Sequence, residues 1–250
     1  LYLTKNQILH LNSEKEIAFI NDPSNANDKY FRSRVRKILN NEIELKNNLI
    51  KAASIFCNIR RYNEKFIKEK LKDDYFYRNE GFLEIKREIL KKYPKYLVIY
   101  LLRIAILRIG NKNYLSKVNF LEKLYFKALQ VQNITYALGG CILVINDKKI
   151  FIFREYNDLE QKTQVLPSNN KLIWDNRFKI INKTNEAIKI LPLGSVLYNS
   201  FYKKKFKVNK KRIKFLPFHV RKTLPAIFTL EGLLYIPHLN IYELNSLKES

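Results

Sequence analysis

The spacing of apolar residues changes near residue 134, and this change limits the folds open to the chain. From Tyr30 onward, for roughly a hundred residues, apolar side chains recur at three- and four-residue intervals, the period of one face of an α-helix. Beyond residue 134, short apolar runs alternate with turn residues, which is typical of antiparallel strands. We therefore predict an α+β fold with three parts: a short N-terminal part over residues 1–38, an all-helical middle domain over residues 39–133, and a small β-rich C-terminal domain over residues 134–250.

Individual elements follow from the same patterns. Helices are predicted near residues 5–12, 63–71, 82–92, 96–109 and 115–131. Two β-hairpins are predicted, one from residues 141–145 and 150–153 and one from residues 225–230 and 233–236. A further strand is predicted over residues 172–181, with Trp174 in the core. The basic pairs Arg60-Arg61 and Lys86-Arg87 are predicted to lie on solvated helix faces.

The chain carries a large excess of positive charge. Lys and Arg number 47 against 23 Asp and Glu, which gives a net charge of +24. Such a charge repels itself in a compact state, and an anionic partner relieves the repulsion. Nucleic acid is the commonest such partner because basic side chains release counterions from phosphates. Codon bias in an AT-rich genome also raises lysine content, but it does not explain why acids vanish from particular stretches.

One such stretch runs from Ala187 to Leu230 and contains no Asp or Glu. Its basic residues alternate with Tyr202, Phe206 and Phe215, so it is suited to bind phosphates and to pack or stack on bases. The alternative is a solvated loop made basic by codon bias. The predicted tRNA-binding residues are Lys203, Lys204, Lys205, Lys207, Lys210, Lys211, Arg212, Lys214, Arg221 and Lys222.

A second candidate site lies near the start of the chain. Asp22 and Asn25 can accept hydrogen bonds from backbone amides two residues later and so fix a loop. Arg32 and Arg36 are four residues apart and share a face if the segment is helical, whereas Arg34 then points elsewhere. Two guanidinium groups on one face suit a phosphate or a carboxylate. The alternative is an ordinary capped helix with a solvated basic face.

Other site classes find little support in the sequence. Cys57 and Cys141 stand alone in apolar contexts, so we expect both to be buried, no metal site, and a reducing cytoplasmic location. His10, His219 and His238 are scattered, without partners arranged as a catalytic triad. The most apolar stretch, residues 96–109, contains two arginines and is too short to cross a bilayer, so no membrane partner is expected.

Several segments resemble one known family. Asp22-Pro23-Ser24-Asn25, followed by Asp28, Tyr30, Arg32, Arg34 and Arg36, resembles the segment that closes the N-terminal catalytic domain of tRNA(Ile)-lysidine synthetases. Asn21 and Ser33 depart from that pattern, since the family has Glu and Asn there. Residues 94–110, 138–142, 150–155, 173–178 and 221–225 resemble later parts of the family in the same order, so the resemblance covers most of the chain.

The resemblance implies a specific reaction. These enzymes use ATP to activate carbon 2 of the wobble cytidine of tRNA(Ile), and they join the side-chain amine of lysine there to form lysidine, which changes codon reading from AUG to AUA. It also implies that residues 1–38 are the end of an α/β nucleotide-binding domain. Further implications are Mg²⁺ as a cofactor, Arg32 and Arg36 at the wall of the active site, and C-terminal domains that bind the tRNA.

The family's ATP-binding loop, Ser-Gly-Gly-x-Asp-Ser, does not occur in the sequence, which begins at Leu1 and contains no methionine. We therefore expect a portion of a longer ligase that supplies mainly tRNA binding and is inactive alone. The alternative is a non-catalytic RNA-binding module or a decayed fragment of such a ligase. An in-frame Ser-Gly-Gly-x-Asp-Ser segment upstream would favour the ligase.

Overall fold

The computed structural model describes residues 3, 5–18, 29–115, 118–160, 162–199, 213–214, 216–229, 232 and 234–243. Helices and antiparallel sheets are both present, as predicted for an α+β fold. Contacts divide the chain into two compact units, residues 1–62 and residues 63–250. The predicted domain division at residues 38 and 133 stays a prediction.

The first unit is helical in the part that the structure describes. It contains α1 (Lys5–Glu14), α2 (Phe31–Asn41) and most of α3 (Ile43–Lys70). Apolar residues of α3 such as Leu49 and Phe56 are 51% and 69% exposed despite their helical spacing. Cys57 is exposed as well, so the prediction that it is buried is wrong. Helical periodicity shows which residues share a face, but it does not show that the face is covered.

The second unit begins with a sheet covered by helices. Its five strands are all antiparallel and follow the order β1-β2-β5-β4-β3. The elements are β1 (Tyr75–Arg78), β2 (Phe82–Lys86), α4 (Ile89–Lys92), α5 (Lys95–Ile109), α6 (Val118–Gln130), β3 (Ile134–Leu138), β4 (Cys141–Ile145) and β5 (Lys149–Arg154).

The prediction of a helix over residues 82–92 is wrong, because β2 occupies the first half of that segment. β2 lies between β1 and β5, and it has apolar residues on both faces. Leu83 and Ile85 lie in the first core, whereas Phe82 lies in the second. Periodicity alone does not distinguish such a strand from a helical segment. As a consequence, strands on both sides of residue 133 share one sheet.

The first core lies between this sheet and the helices α5 and α6. Leu101, Leu102 and Ile106 of α5 are almost completely buried, and Cys141 is buried as predicted. α5 begins after Pro94 and ends at Ile109. The following Gly110 lies against the backbone carbonyl of Gly139 so closely that a Cβ atom would overlap it.

A second sheet follows, with the strand order β12-β11-β10-β9-β6. Its elements and their neighbours are β6 (Gln164–Leu166), β7 (Lys171–Trp174), β8 (Phe178–Ile181), β9 (Ile188–Pro192), α7 (Leu193–Tyr198), α8 (Phe218–Lys222), β10 (Pro225–Phe228), β11 (Leu234–Ile236), a 3-10 helix (Pro237–Leu239) and β12 (Ile241–Glu243). The predicted hairpins β4–β5 and β10–β11 are confirmed.

The single strand predicted over residues 172–181 is instead a hairpin. β7 and β8 pair across a turn in which Asp175 and Asn176 have positive φ angles of 48° and 56°. Asn and Asp tolerate this left-handed conformation better than most residues, so the chain reverses here without glycine. Trp174 is completely buried in the second core, as predicted. Among the described residues, no helix is both long and apolar enough to cross a membrane.

Candidate nucleic-acid interface

Arg32 and Arg36 lie on α2, and both are exposed. The helical spacing places them on one face, as predicted, while Ser33 is buried. Arg34 differs from both, because its guanidinium lies 5.9 Å from the centre of the Phe31 ring. No side chain caps the start of this helix, whose first residue follows Tyr30. The loop residues Asp22 and Asn25 lie outside the described residues, so their predicted role stays a prediction.

In the C-terminal part, the structure places three of the predicted tRNA-binding residues: Lys214, Arg221 and Lys222. Lys214 is exposed, and Arg221 and Lys222 are partly buried at the end of α8. The other predicted residues, Lys203, Lys204, Lys205, Lys207, Lys210, Lys211 and Arg212, lie outside the part of the chain that the structure describes.

The sequence of α8 explains its orientation. Pro217 is the N-cap residue of the helix, and its ring fixes φ at −52° and leaves no backbone N–H without a partner. Val220 is buried in the second core, whereas Phe218 is 48% exposed. α8 contacts α7. The outward residues of the two helices therefore form one surface.

On this surface Lys222 is surrounded by aromatic rings. Its Nζ atom lies 4.3 Å from the ring centre of Phe218, 4.7 Å from that of Tyr198 and 5.6 Å from that of Tyr156. Each distance is within the range of a cation–π interaction. We call Tyr156, Tyr198, Phe218 and Lys222 the aromatic cluster. The Arg221 guanidinium lies 5.7 Å from the Phe218 ring on the same helix.

Tyr156 is held in place by α7. Its hydroxyl is 3.2 Å from Ser195 Oγ, which donates to the backbone carbonyl of Glu160 at 3.0 Å. The Tyr156 ring packs directly on Gly194, where a Cβ atom would collide with it. Because the Ser195 hydroxyl hydrogen is used in the bond to Glu160, the Tyr156 hydroxyl donates to Ser195, and burial raises the pKa of Tyr156. Tyr156 is therefore held in one position at the side of the aromatic cluster.

His219 contributes a neutral ring to this surface. It stacks on Phe153 with 5.6 Å between ring centres. Burial and the charge of Lys222 lower the pKa of His219 from 6.5, so the ring is uncharged at neutral pH. A cavity of about 130 Å³ lies beside it, lined by Ile142, Arg154, Glu155, Tyr156, Asn157, Phe218, His219 and Lys222. The positive charge of α8 at neutral pH thus comes from Arg221 and Lys222.

A buried group of charges, which sequence reasoning missed, fixes the base of α8. The Asp175 carboxylate is completely buried and accepts hydrogen bonds from Arg154 Nε at 3.1 Å and from Arg177 Nε at 2.8 Å. Lys162 Nζ lies 3.2 Å from the other carboxylate oxygen. Arg177 also donates to the carbonyls of Thr223 at 2.8 Å and Gly81 at 3.1 Å.

These contacts connect the β7–β8 turn, β5, the β1–β2 turn and the residue that follows α8. Burial lowers the pKa of Arg177 to about 10 although Asp175 acts in the opposite direction, and the group stays charged at neutral pH. The signal in the sequence is the run of polar residues Asp175, Asn176 and Arg177 inside the segment predicted as one strand over residues 172–181. Only the turn between β7 and β8 brings Asp175 and Arg177 together inside the protein.

The pair Lys86-Arg87 also differs from its prediction, because it does not lie on a solvated helix face. Lys86 ends β2 and pairs with Asp74, with 3.6 Å between Nζ and Oδ1. Arg87 donates to the backbone carbonyls of Ala128 at 2.6 Å and Val131 at 2.9 Å, at the end of α6. A cation in this position satisfies terminal carbonyls and interacts favourably with the helix dipole.

Gly139 and Gly140 have a structural role in the β3–β4 turn. Both have positive φ angles, 61° and 74°. A Cβ atom on Gly139 would lie 2.8 Å from Ile106, and Arg154 Nη1 donates to the carbonyl of Gly140 at 2.8 Å. The pair is therefore packed against Ile106 and Arg154, while both glycines stay partly exposed. Within the described residues, no three His, Cys, Asp or Glu side chains are grouped so as to hold a metal ion.

Comparisons with known proteins point in one direction. No family model matches the chain. The chain is 24% identical over 262 residues to the tRNA(Ile)-lysidine synthase of Orientia tsutsugamushi (strain Boryong), which covers 99% of this chain and 59% of that protein. It is 32% identical over 116 residues to the tRNA(Ile)-lysidine synthase of Wolbachia sp. subsp. Brugia malayi (strain TRS), covering 45% and 27%.

A third relative, the tRNA(Ile)-lysidine synthase of Rickettsia typhi (strain ATCC VR-144 / Wilmington), is 23% identical over 260 residues, which cover 96% of this chain and 57% of that protein. The two relatives that align with nearly all of this chain are much longer than it. The chain thus spans little more than half of their length.

Proposed function

We propose, on the basis of its similarity to tRNA(Ile)-lysidine synthases over almost its whole length, that the chain serves as the tRNA-binding portion of a tRNA-modifying ligase. In the proposed reaction, ATP activates carbon 2 of the wobble cytidine of tRNA(Ile). The side-chain amine of lysine then forms a carbon–nitrogen bond at that carbon, and codon reading changes from AUG to AUA. The partners in this proposal are tRNA(Ile), lysine and ATP.

One observation carries the proposal: relatives with the same name align with this chain almost from end to end. The charge distribution supports it, since the net charge is +24 and Arg32, Arg36 and Lys214 are exposed. Exposed cations gain by contact with RNA because the phosphates release condensed counterions. Binding of a small neutral substrate would not account for this positive charge.

We assign Arg32 and Arg36 to a phosphate of the nucleotide or of the tRNA at the wall of the active site. Each guanidinium presents a planar set of N–H donors that matches two phosphate oxygens. Helix α2 supplies the rigid spacing between them. Asp22 and Asn25 would hold the preceding loop.

We assign tRNA binding to Lys214, Arg221 and Lys222 together with the lysine-rich residues 203–212. In this proposal, ATP and Mg²⁺ are not assigned to residues of this chain. The sequence has no Ser-Gly-Gly-x-Asp-Ser loop, and the glycine pair at 139–140 is packed against α5 and Arg154. No step of the reaction is therefore assigned to residues of the β3–β4 turn.

A competition experiment tests the binding role. The chain would be bound to labelled tRNA(Ile) at physiological salt and challenged with unlabelled tRNA and with polyglutamate at equal charge concentration. We expect tRNA to displace the label at a concentration at least about tenfold lower, because RNA offers stacking as well as charge. Equal displacement by both polymers would contradict a tRNA-binding role and leave only a general affinity for polyanions.

A further inference from the structure

We propose that the aromatic cluster binds a single unpaired nucleotide, whose base stacks on Tyr198 or Phe218 and whose phosphate contacts Lys222 and Arg221. The inference deepens the proposed function and rests on it, because it takes the ligand to be RNA. No residue of the cluster except Lys222 was predicted from the sequence to bind RNA.

The first argument is the exposure of the two rings. Tyr198 is 59% exposed and Phe218 is 48% exposed, although α7 and α8 contribute other residues to the core. Large aromatic rings are costly to leave in water, and two of them at one place form a platform. Every base has a π-face, so such a platform accepts an unpaired base of any sequence, whereas a paired base keeps its faces inside the helix.

The second argument is the charge next to the rings. Lys222 lies within 5.6 Å of all three ring centres, and Arg221 lies 5.7 Å from Phe218. Neither side chain forms an ion pair with an acidic residue in the described ranges. Among the residues that line the neighbouring cavity, Glu155 is the one acidic residue. The lysine stem is flexible, so its ammonium can leave the ring faces to meet a phosphate while a base takes its place.

The third argument is the rigidity of the surroundings. Tyr156 is fixed by Ser195 and Gly194, and the residue after α8, Thr223, is held by Arg177. A site that is already ordered loses less entropy when its ligand binds. The exposed rings of Tyr198 and Phe218 thus lie next to ordered side chains and backbone. This arrangement is not required for core packing, because the outward faces of Tyr198 and Phe218 contribute little to burial.

Binding to two RNA duplexes would distinguish recognition of an unpaired nucleotide at this site from general phosphate binding. One duplex is blunt, and the other has the same stem with a four-nucleotide single-stranded 3′ extension. Anisotropy titrations would compare the unmodified chain with the double variant Tyr198→Leu and Phe218→Leu. Leucine keeps apolar bulk but removes the π-face. Tyr114→Leu, at a residue that is 75% exposed between α5 and α6, is the matched control.

We expect the unmodified chain to bind the extended duplex more tightly than the blunt one. The double variant should lose at least about fivefold in affinity for the extended duplex, the lower end of the range for one stacked base. Its affinity for the blunt duplex should stay unchanged, and the control should behave like the unmodified chain. An equal loss on both duplexes, or no loss, would overturn the inference while leaving tRNA binding intact. Failure of the unmodified chain to bind either RNA would overturn the proposed function as well.

A crosslinking experiment on the unmodified chain avoids any effect of substitution on folding. The extension would carry 5-iodouridine, which crosslinks under long-wavelength light to aromatic side chains that it stacks on. Peptide mapping should find the crosslink at Tyr198 or Phe218. Crosslinks confined to other aromatic residues, such as Tyr114, would place the unpaired nucleotide elsewhere and contradict the inference.

Discussion

Arg177 donates through Nε to the carboxylate of Asp175, two residues earlier in the same turn, at 2.8 Å. The carboxylate is completely buried, and Arg154 and Lys162 approach it from two other segments. A buried carboxylate is stable only when it is paired and hydrogen-bonded, and here one anion compensates several cations. The turn between β7 and β8 is therefore a junction that joins β5, the β1–β2 turn and the residue after α8 through one buried carboxylate and its cations.

The first prediction concerns this junction. Asp175→Asn leaves Arg154 and Arg177 buried without their shared anion, so the free energy of unfolding should fall by about 3–5 kcal/mol. Urea unfolding followed by circular dichroism measures the change. Asp147→Asn is the matched control, since the side chain of Asp147 is 59% exposed and lies 3.9 Å from Arg87. That variant should lose less than about 1 kcal/mol. Similar losses in both variants would contradict the role of the junction.

The second prediction concerns stability in acid. Burial by itself raises the pKa of Asp74, but hydrogen bonds from Lys92 at 2.7 Å and Tyr93 at 2.8 Å, and the charges of Lys92 and Lys86, lower it below 3.8 overall. A carboxylate with a lowered pKa in the folded state stabilises the protein fully above its unfolded value, and this contribution is lost as the pH falls through the folded value.

Asp74→Asn should therefore destabilise the second unit at pH 7, and the difference from the unmodified chain should shrink as the pH falls below about 3.8. Unfolding curves at several pH values measure it. The exposed neighbour Asp73 provides the control variant Asp73→Asn. A difference that stays constant down to the lowest accessible pH would show that Asp74 acts through packing rather than through its charge.

The third prediction concerns the salt dependence of tRNA binding. Each lysine that neutralises a phosphate contributes roughly 0.7 to 0.9 to the slope of log affinity against log salt concentration. Replacing Lys203, Lys204 and Lys205 with Gln should make this slope shallower by about 2 and weaken binding to all tRNA sequences alike. Lys123→Gln, an exposed lysine on α6, should leave the slope nearly unchanged. A flat salt response of the unmodified chain would contradict phosphate contact by the basic stretch.

The fourth prediction concerns Arg32 and Arg36. In a catalytically active form of the proposed ligase, replacing both with Ala should lower the rate of lysidine formation by at least about a hundredfold, because preorganised guanidinium groups act on charge that develops at the reacting centre. The affinity for tRNA should fall much less. Arg34→Ala is the control, since this side chain packs on Phe31 instead. Equal loss of rate and affinity in the double variant would move the pair from the active site to general tRNA binding.

Sequence patterns were sufficient for part of the fold. The hairpins β4–β5 and β10–β11 and the helix α5 lie where periodicity and turn residues predicted them, because both signals act between residues close along the chain. The pattern misled at β2, whose apolar residues face both cores and so resemble one face of a helix. It also misled at residues 175–177, where left-handed Asp and Asn residues reverse the chain without a glycine.

By itself, the sequence determined the α+β class, the excess of positive charge and the helical spacing of Arg32 and Arg36, since each depends on composition or on short-range periodicity. Only the tertiary structure decided that Asp175 lies inside a group of cations and that Tyr156 and Tyr198 surround Lys222. Those contacts join residues from distant segments of the chain. Burial and charge compensation arise only when the second sheet and its helices are assembled, so no local pattern records them.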